Sequence, residues 1–125
     1  MSKTKLTFRL AADNDARLLW RWRNEPSGLK NYFSPKPVPW AVHQAWFLRK
    51  QRDPRTRIFV VSAGTTPVGQ VRVDVGDHRI GEMHIVLDKA ARGRGWGGEA
   101  IAAVATRVVR AGLADALVAR IKPDN

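Results

Sequence analysis

The stretch that decides the fold is Ile85-Val-Leu-Asp-Lys-Ala-Ala-Arg-Gly-Arg-Gly-Trp-Gly-Gly98. It carries a glycine loop between a predicted strand, Ile80–Leu87, and a predicted amphipathic helix, Glu99–Ala111. Glycines leave backbone N–H groups unobstructed, and a helix N-terminus adds positive dipole character. Two arginines, Arg92 and Arg94, bring formal charge to the same place. The loop is therefore predicted to bind phosphate.

The glycines of the loop also allow two other interpretations. One is a loop that needs glycine only for its turns. The other is a dinucleotide site, because Gly93-x-Gly95-x-x-Gly98 matches that fingerprint. The fingerprint requires a doubly wound parallel sheet, whereas this loop follows three strands joined by short turns, so we reject a nicotinamide site. No P-loop pattern occurs in the chain.

The pattern on either side of the loop predicts the order β-α-α-β-β-β-α-β. This is a mixed α/β domain, with helices packed on a mostly antiparallel sheet. Its last strand is placed to run parallel to the preceding strand. The predicted strands are Lys5–Leu10, Arg57–Ser62, Val68–Val75, Ile80–Leu87 and Ala116–Ile121. Three helices are predicted. The first is capped by Asp13 or Asp15 and turns Leu18, Leu19 and Trp22 inward; the second covers Trp40–Arg52 and turns Trp40, Val42, Trp46 and Phe47 inward. The third covers Glu99–Ala111 and turns Ile101, Val104, Ala105, Val108 and Val109 inward.

Length and composition indicate one domain over residues 1–125. The chain has 125 residues, of which 44% are hydrophobic, enough for one core. It has no cysteine, which excludes disulfides, a thiolate nucleophile and cysteine-ligated metals. No apolar run is long enough to span a bilayer and no signal peptide is recognisable, so we expect a cytoplasmic protein without membrane association.

The formal net charge of +11 predicts attraction to polyanions. Residues 1–62 hold 13 Lys+Arg and 4 Asp+Glu, a net +9, whereas residues 63–125 hold a net +2. Nucleic acid, anionic lipid and phosphorylated small molecules all fit this charge. A solvated basic surface that only aids solubility is the alternative.

Arg92-x-x-Gly95-x-Gly97, after a strand and before a long helix, resembles the acetyl-CoA signature of the GNAT N-acetyltransferases. The predicted order of elements also matches that family through its fifth strand. Three further segments, Trp22-Arg-Asn-Glu25, His43-Gln-Ala-Trp-Phe47 and Val68-Gly-Gln-Val-Arg-Val73, resemble GNAT enzymes that acetylate nucleotide-linked amino sugars. The N-acetyltransferase of the pseudaminic-acid pathway is the closest named type.

The resemblance implies acetyl-CoA as co-substrate and an amine as acceptor. Backbone groups around Ile85 to Leu87 would pair with the pantetheine arm, and the amide near Leu87 would polarise the thioester carbonyl. Amides from Arg92 to Gly97 would hold the pyrophosphate. The predicted cofactor-binding residues are Ile85, Val86, Leu87, Arg92, Gly93, Arg94, Gly95, Trp96, Gly97 and Gly98.

Acetyl transfer to an amine needs a group that accepts the proton of the ammonium. Glu82 and His84 lie two apart on the strand that enters the loop, so they share one face and are the predicted catalytic residues. A solvated pair on an open sheet face is the alternative. Candidate acceptor-binding residues are Arg23, Asn24, His43 and Arg72, with surface charge or packing as the alternative. No catalytic triad and no metal site is predicted.

The chain ends at Asn125, where the family usually continues with a helix carrying a tyrosine acid and two more strands. The only tyrosine, Tyr32, does not match that position. We therefore expect that the GNAT domain is truncated at its C-terminus, that another chain completes the site, or that the acid is water or another residue. An exposed last strand would favour a homodimer or strand exchange. The enzymatic alternative is acetylation of protein N-termini or ribosomal proteins. The non-enzymatic alternative is a basic module that binds nucleic acid, which we disfavour, or an inactive CoA-binding domain.

Overall fold

The computed structural model describes residues 5–31 and 36–119. Five strands form one sheet in the order β1-β2-β3-β4-β5. Neighbouring strands are antiparallel from β1 to β4, and β5 runs parallel to β4. This confirms the predicted mixed α/β architecture. The strands are β1 Leu6–Leu10, β2 Thr56–Ala63, β3 Thr66–Val75, β4 Ile80–Leu87 and β5 Ala116–Ala119.

Helices cover both faces of the sheet. They are α1 Ala16–Arg23, α2 Trp40–Arg52 and α3 Trp96–Arg110. One face of the sheet packs on α1 and α2 through a cluster built from Ala16, Leu19, Trp22, Phe47, Ile58 and Val60. The other face packs on α3 through a larger cluster that includes Phe59, Val61, Val71, Val73, Met83, Ala100, Val104 and Val108. Because side chains alternate along a strand, β2 serves both clusters, with Ile58 and Val60 on one face and Phe59 and Val61 on the other.

The bounds of α2 agree with the prediction, since Pro39 precedes the helix and Asp53-Pro54 follows it. Its inward face was predicted wrongly at one position. Val42 is 58% exposed, whereas His43 is buried beside Phe47. On α3 the same kind of error occurs at Val109, which is 44% exposed. Both residues lie at the margin of the apolar stripe, where spacing alone does not decide the side.

The predicted start of α3 was three residues too late. The helix begins at Trp96, so Gly97 and Gly98 belong to its first turn and not to the loop. A Cβ at Gly97 would already lie 3.5 Å from Leu87 Cδ1 and 3.9 Å from Ile85 Cδ1. These are ordinary van der Waals distances, and they place the N-terminus of α3 against the end of β4.

Asp15 occupies the N-cap position of α1, but its side chain does not cap that helix. The Asp15 carboxylate accepts 2.7 and 2.9 Å bonds from the Arg9 guanidinium and a 2.7 Å bond from the Ala12 N–H. The Arg9 hydrogen bond is the main cause that lowers the pKa of Asp15. The pair therefore ties the end of β1 to the start of α1.

The end of the last predicted strand, at Ile121, and Tyr32 lie outside the described residues. Within the described part of β5, Val118 is 49% exposed. The homodimer stays a prediction. Among the residues that the structure describes, no helix is both long and apolar enough to cross a membrane.

Candidate active site

The glycine loop presents a helix N-terminus directly after the end of β4. Gly93 and Gly95 have φ angles of +80° and +78°, a conformation that other residues rarely adopt. Gly95 is the N-cap of α3, and no side chain caps this end of the helix within the described residues. The first N–H groups of a helix lack partners inside the helix. This end of α3 can therefore donate to an anion.

Two contacts fix the glycine loop to the end of α1. Trp22 Nε1 donates to Asp88 Oδ2 at 2.9 Å, and Arg92 Nη2 lies 3.2 Å from Glu25 Oε2. Both partners on the α1 side belong to the Trp22-Arg-Asn-Glu25 segment that the sequence singled out. The Glu25 carboxylate thus neutralises part of the charge of the Arg92 guanidinium. Binding of an anion by the loop therefore depends more on the backbone amides than the prediction assumed.

Arg94 stands apart from these contacts. Its guanidinium lies over the Trp96 ring, 5.2 Å from the ring centroid. Trp96 in turn packs partly buried against the α3-side core. The arrangement keeps the positive charge of Arg94 at the N-terminus of α3, as the sequence predicted.

The β5 side of β4 has no strand partner beside the loop within the described residues. The described part of β5 pairs with β4 over Ile80–Met83. No described residue pairs with β4 on that side from His84 to Leu87. In the predicted cofactor strand, 85–87, the Leu87 carbonyl accepts a 3.4 Å bond from Arg92 Nη2. An extended ligand could pair with the remaining backbone groups of that edge. Ile85 packs against the α3-side core and Val86 against the α1–α2 side.

The two predicted catalytic residues lie together on the α1–α2 side of β4. His84 Nε2 is 3.3 Å from Glu82 Oε1 and 3.6 Å from Asp74 Oδ2. The His84 side chain is 37% exposed and that of Glu82 39%. An imidazole between two carboxylates, partly open to solvent, can accept a proton and pass it on.

Asp74 is the site residue that the sequence analysis missed. Its carboxylate accepts bonds from Thr56 Oγ1 at 2.9 Å, Arg72 Nε at 2.9 Å and Lys50 Nζ at 3.3 Å. The alternation of Val71 to Val75 places Arg72 and Asp74 on one face, but only the register of β3 with β4 brings them opposite His84 and Glu82. The short turn between β3 and β4 is the sequence signal from which this register could have been predicted.

The charges around His84 favour its neutral form. Burial lowers the pKa of His84 first, and the positive charge of Arg72 lowers it further, which outweighs the opposite effects of Asp74 and Glu82. For Asp74 burial alone would raise the pKa, but Arg72, Thr56 and Lys50 together lower it. At neutral pH the cluster thus holds an ionised Asp74 beside a neutral imidazole, which is the form that can act as a base.

The comparisons with known proteins decide the family. A family model described as "Acetyltransferase (GNAT) domain" matches residues 5–125. The chain belongs to the GNAT acetyltransferase family. No curated protein matches the sequence.

Solved structures share the GNAT fold with this chain. A domain from Methanocaldococcus jannaschii has a TM-score of 0.82 at 24% identity, covering 98% of this chain and 81% of that one. The spermidine N-acetyltransferase of Vibrio cholerae, solved with CoA and spermine, has a TM-score of 0.68 at 23% identity and covers 77% and 59%. The Salmonella typhimurium protein yncA, solved with its cofactor acetyl-CoA, has a TM-score of 0.75 at 17% identity and covers 98% and 73%. At these identities the likeness shows the fold.

Within this GNAT domain, Asn24 and Arg72 of the predicted acceptor residues contact neighbouring segments. Asn24 binds the backbone of Val38 in both directions, with its Nδ2 donating to the carbonyl and its Oδ1 accepting from the N–H, each at 2.8 Å. Arg72 binds Asp74 and lies over the Trp46 ring, 5.0 Å from the centroid. Asn24 therefore holds the segment before α2 in place, and Arg72 forms a wall of the His84 cluster.

The other two predicted acceptor residues, Arg23 and His43, lie beneath the same α1–α2 surface. His43 is 5% exposed, and its Nδ1 has no hydrogen-bond partner among the described residues. Burial, and next the charge of Arg23, lower the pKa of His43. Its imidazole is therefore a neutral, packed group, which stacks on Phe47 at a centroid distance of 6.3 Å.

In the described ranges, no three or more His, Asp or Glu side chains come together as a group able to hold a metal ion.

Proposed function

We propose that this chain transfers the acetyl group of acetyl-CoA to a primary amine. The observation that carries the proposal is the placement of two features beside the His84–Glu82 pair: the N-terminus of α3 and the edge of β4, neither of which has a partner among the described residues there. His84 and Leu87 are three residues apart on β4, a rise of about 10 Å. A thioester held along that edge would lie within reach of the pair or of one bridging water.

The backbone provides the fit for acetyl-CoA. The N–H groups at the start of α3 suit a pyrophosphate, because no side chain of the described part occupies them. The β4 edge from Ile85 to Leu87 suits the amide-containing pantetheine arm, which can pair as an extra strand. Arg94, held over Trp96, adds positive charge next to the same helix end.

The proton balance of the reaction gives His84 its role. The acceptor arrives as an ammonium ion, and neutral His84 takes one proton from it, directly or through water. The free amine then forms a C–N bond to the thioester carbonyl carbon while the C–S bond breaks. The nitrogen then loses its second proton, which the departing thiolate of CoA takes up directly or through water, so the products are an amide and CoA-SH. His84 returns its own proton to the solvent. Glu82 and Asp74 stabilise the imidazolium that forms in between, since both lie within 3.6 Å of Nε2.

We further propose that the acceptor amine is carried on a nucleotide-linked sugar. The support is the resemblance of the three sequence segments and the net +9 charge of residues 1–62. Those residues form α1 and α2, which cover the same side of the sheet as His84 and bring Arg23 and Lys50 to it. Positive charge on the acceptor side favours a diphosphate-linked substrate over a polycationic one.

A panel of amines tests the acceptor. CoA thiol release is measured with a UDP-linked amino sugar, the same amino sugar without the nucleotide, spermidine, and peptides with free N-termini. We expect kcat/KM for the UDP-linked sugar to exceed that for the free sugar at least tenfold, about 1.4 kcal/mol of transition-state binding. Equal values for the two sugars, or a higher value for spermidine or a peptide, would show that the acceptor class is wrong while leaving acetyl transfer intact.

A further inference from the structure

A cavity lies at the end of the sheet opposite the glycine loop. It has a volume of about 390 Å³ and is bounded by the start of β2, the β3–β4 turn and the C-terminal end of α3. Its apolar floor is formed by the half-buried Val75 and Leu113, with Val73 and Val108, each 1% exposed, beneath them. Its rim is basic and is formed by Arg55, Arg57, His78 and Arg79. Asp77 is the single carboxylate among the lining residues.

The distance along the elements separates this cavity from the glycine loop, although it shares Val75 and Gly76 with the hollow lined by Glu82 and His84. β4 begins at Ile80, beside the cavity, and ends at Leu87, beside the glycine loop. Its eight residues correspond to a rise of about 23 Å. The fifteen residues of α3 span about 21 Å in the same way, from Trp96 at the loop to Arg110 near the cavity. One ligand of ordinary metabolite size cannot contact both sites.

Two of the four rim side chains are held by the protein, and two are not. Arg57 Nη1 donates to the carbonyls of Pro54 and Thr56, both at 3.0 Å. Arg79 Nε lies 3.1 Å from Asp115 Oδ1. Within the described chain, neither the Arg55 guanidinium nor the His78 side chain has a hydrogen-bond or ion-pair partner. The fixed arginines define the rim, and Arg55 and His78 have donors left for a ligand.

The turn that supplies His78 and Arg79 has an unusual backbone. These two are the only non-glycine residues of the described chain with positive φ, at 59° and 58°. Such conformations cost free energy in L-residues, and arginine has no side chain that offsets the cost locally. Positive φ at successive residues is also what a tight hairpin turn requires. Here it brings both rim side chains to one cavity.

We propose that this cavity binds a small organic phosphate, with the phosphate at the rim formed by Arg55, Arg57, His78 and Arg79 and the apolar part of the ligand on the valine and leucine floor. The side chains that line the cavity carry three arginines and one aspartate, so the rim favours an anion. The apolar floor favours a ligand with an organic body over a bare ion. The proposal rests neither on acetyl transfer nor on the proposed acceptor.

An NMR titration with phenyl phosphate tests the site. Phenol and inorganic phosphate are the matched probes that lack the anion and the apolar body, respectively. We expect saturable shifts of the amides in residues 55–57 and 76–79 and of Leu113, with inorganic phosphate at least tenfold weaker and phenol without effect. Shifts confined to residues 92–99, shifts that do not saturate, or equal affinity for inorganic phosphate would overturn the proposal.

A pair of variants separates the site from the general charge of the protein. Arg55→Gln with His78→Asn removes the two unpartnered rim donors, and asparagine tolerates the positive φ at position 78. Arg110→Gln removes one positive charge from an exposed position of α3 outside the cavity lining. Phenyl phosphate binding should weaken at least tenfold in the first variant and less than twofold in the second. Equal weakening in both would show unspecific attraction to a basic chain and overturn the proposal.

Discussion

Replacement of Gly95 by valine is expected to abolish acetyl-CoA binding, with an affinity loss of about 100-fold or more. Gly95 has a φ of +78° and is the N-cap of α3. Valine cannot adopt this angle without strain of about 1–2 kcal/mol, so the loop would move and its N–H groups would no longer converge on the pyrophosphate. A 100-fold loss corresponds to about 2.7 kcal/mol of binding free energy. Isothermal titration with acetyl-CoA measures it.

Gly112→Val is the matched control for that variant. Gly112 follows the other end of the same helix, has a φ of +75°, and like Gly95 has open space where a Cβ would stand. The two substitutions should therefore cost similar amounts of folding stability. Acetyl-CoA affinity should stay within a factor of two in Gly112→Val. If both variants lose affinity equally, the effect is one of stability and the glycine loop does not hold the pyrophosphate.

Replacement of both Glu82 and His84 by glutamine is expected to lower kcat by roughly 10²–10⁴-fold, the usual contribution of a positioned acid or base. The dissociation constant of acetyl-CoA should stay unchanged, because neither side chain lies in the glycine loop. His84→Gln alone should account for most of the loss, and Glu82→Gln for less, since Asp74 also lies within 3.6 Å of the imidazole. Single-turnover rates and acetyl-CoA titrations separate the two effects.

The pH profile gives this second prediction an independent readout. Burial and Arg72 hold the pKa of His84 below its ordinary value of 6.5. The neutral imidazole is the active form, so kcat should rise with pH through that depressed pKa and be level, as far as His84 is concerned, above 6.5. Arg72→Gln removes a lowering cause and should shift this limb toward higher pH. An unchanged kcat in the double variant, or a limb that persists in His84→Gln, would remove His84 from the mechanism.

The order of elements could be predicted because local signals mark each boundary. Prolines delimit α2, and the three strands of the meander alternate in hydrophobicity with short turns between them. The start of α3 could not be placed in the same way, because all four glycines between positions 93 and 98 are predicted to lie in the loop. In the structure Gly93 and Gly95 of this stretch have a positive φ, whereas Gly97 and Gly98 are helical.

Some residues of the candidate site could likewise be predicted from local sequence, and others could not. His84 and Glu82 could be proposed because two residues on one strand share a face without any knowledge of the fold. Asp74 could not, since its place beside them depends on the register of β3 against β4, with Arg72 opposite His84 and Asp74 opposite Glu82. The role of Asn24 likewise depends on Val38, which is distant in sequence.

Thermal unfolding in the presence of acetyl-CoA tests directly whether the glycine loop and the β4 edge bind this co-substrate. ADP at the same concentration is the control, because a chain of net charge +11 also attracts anions without specific contacts. At 100 times its dissociation constant, acetyl-CoA should stabilise the folded state by about 2.7 kcal/mol, which for a domain of this size raises Tm by roughly 10 °C. ADP lacks the pantetheine arm that pairs with β4 and should give a clearly smaller rise. No rise with acetyl-CoA, or one that ADP equals, would contradict the assignment of the glycine loop and the β4 edge as an acetyl-CoA site.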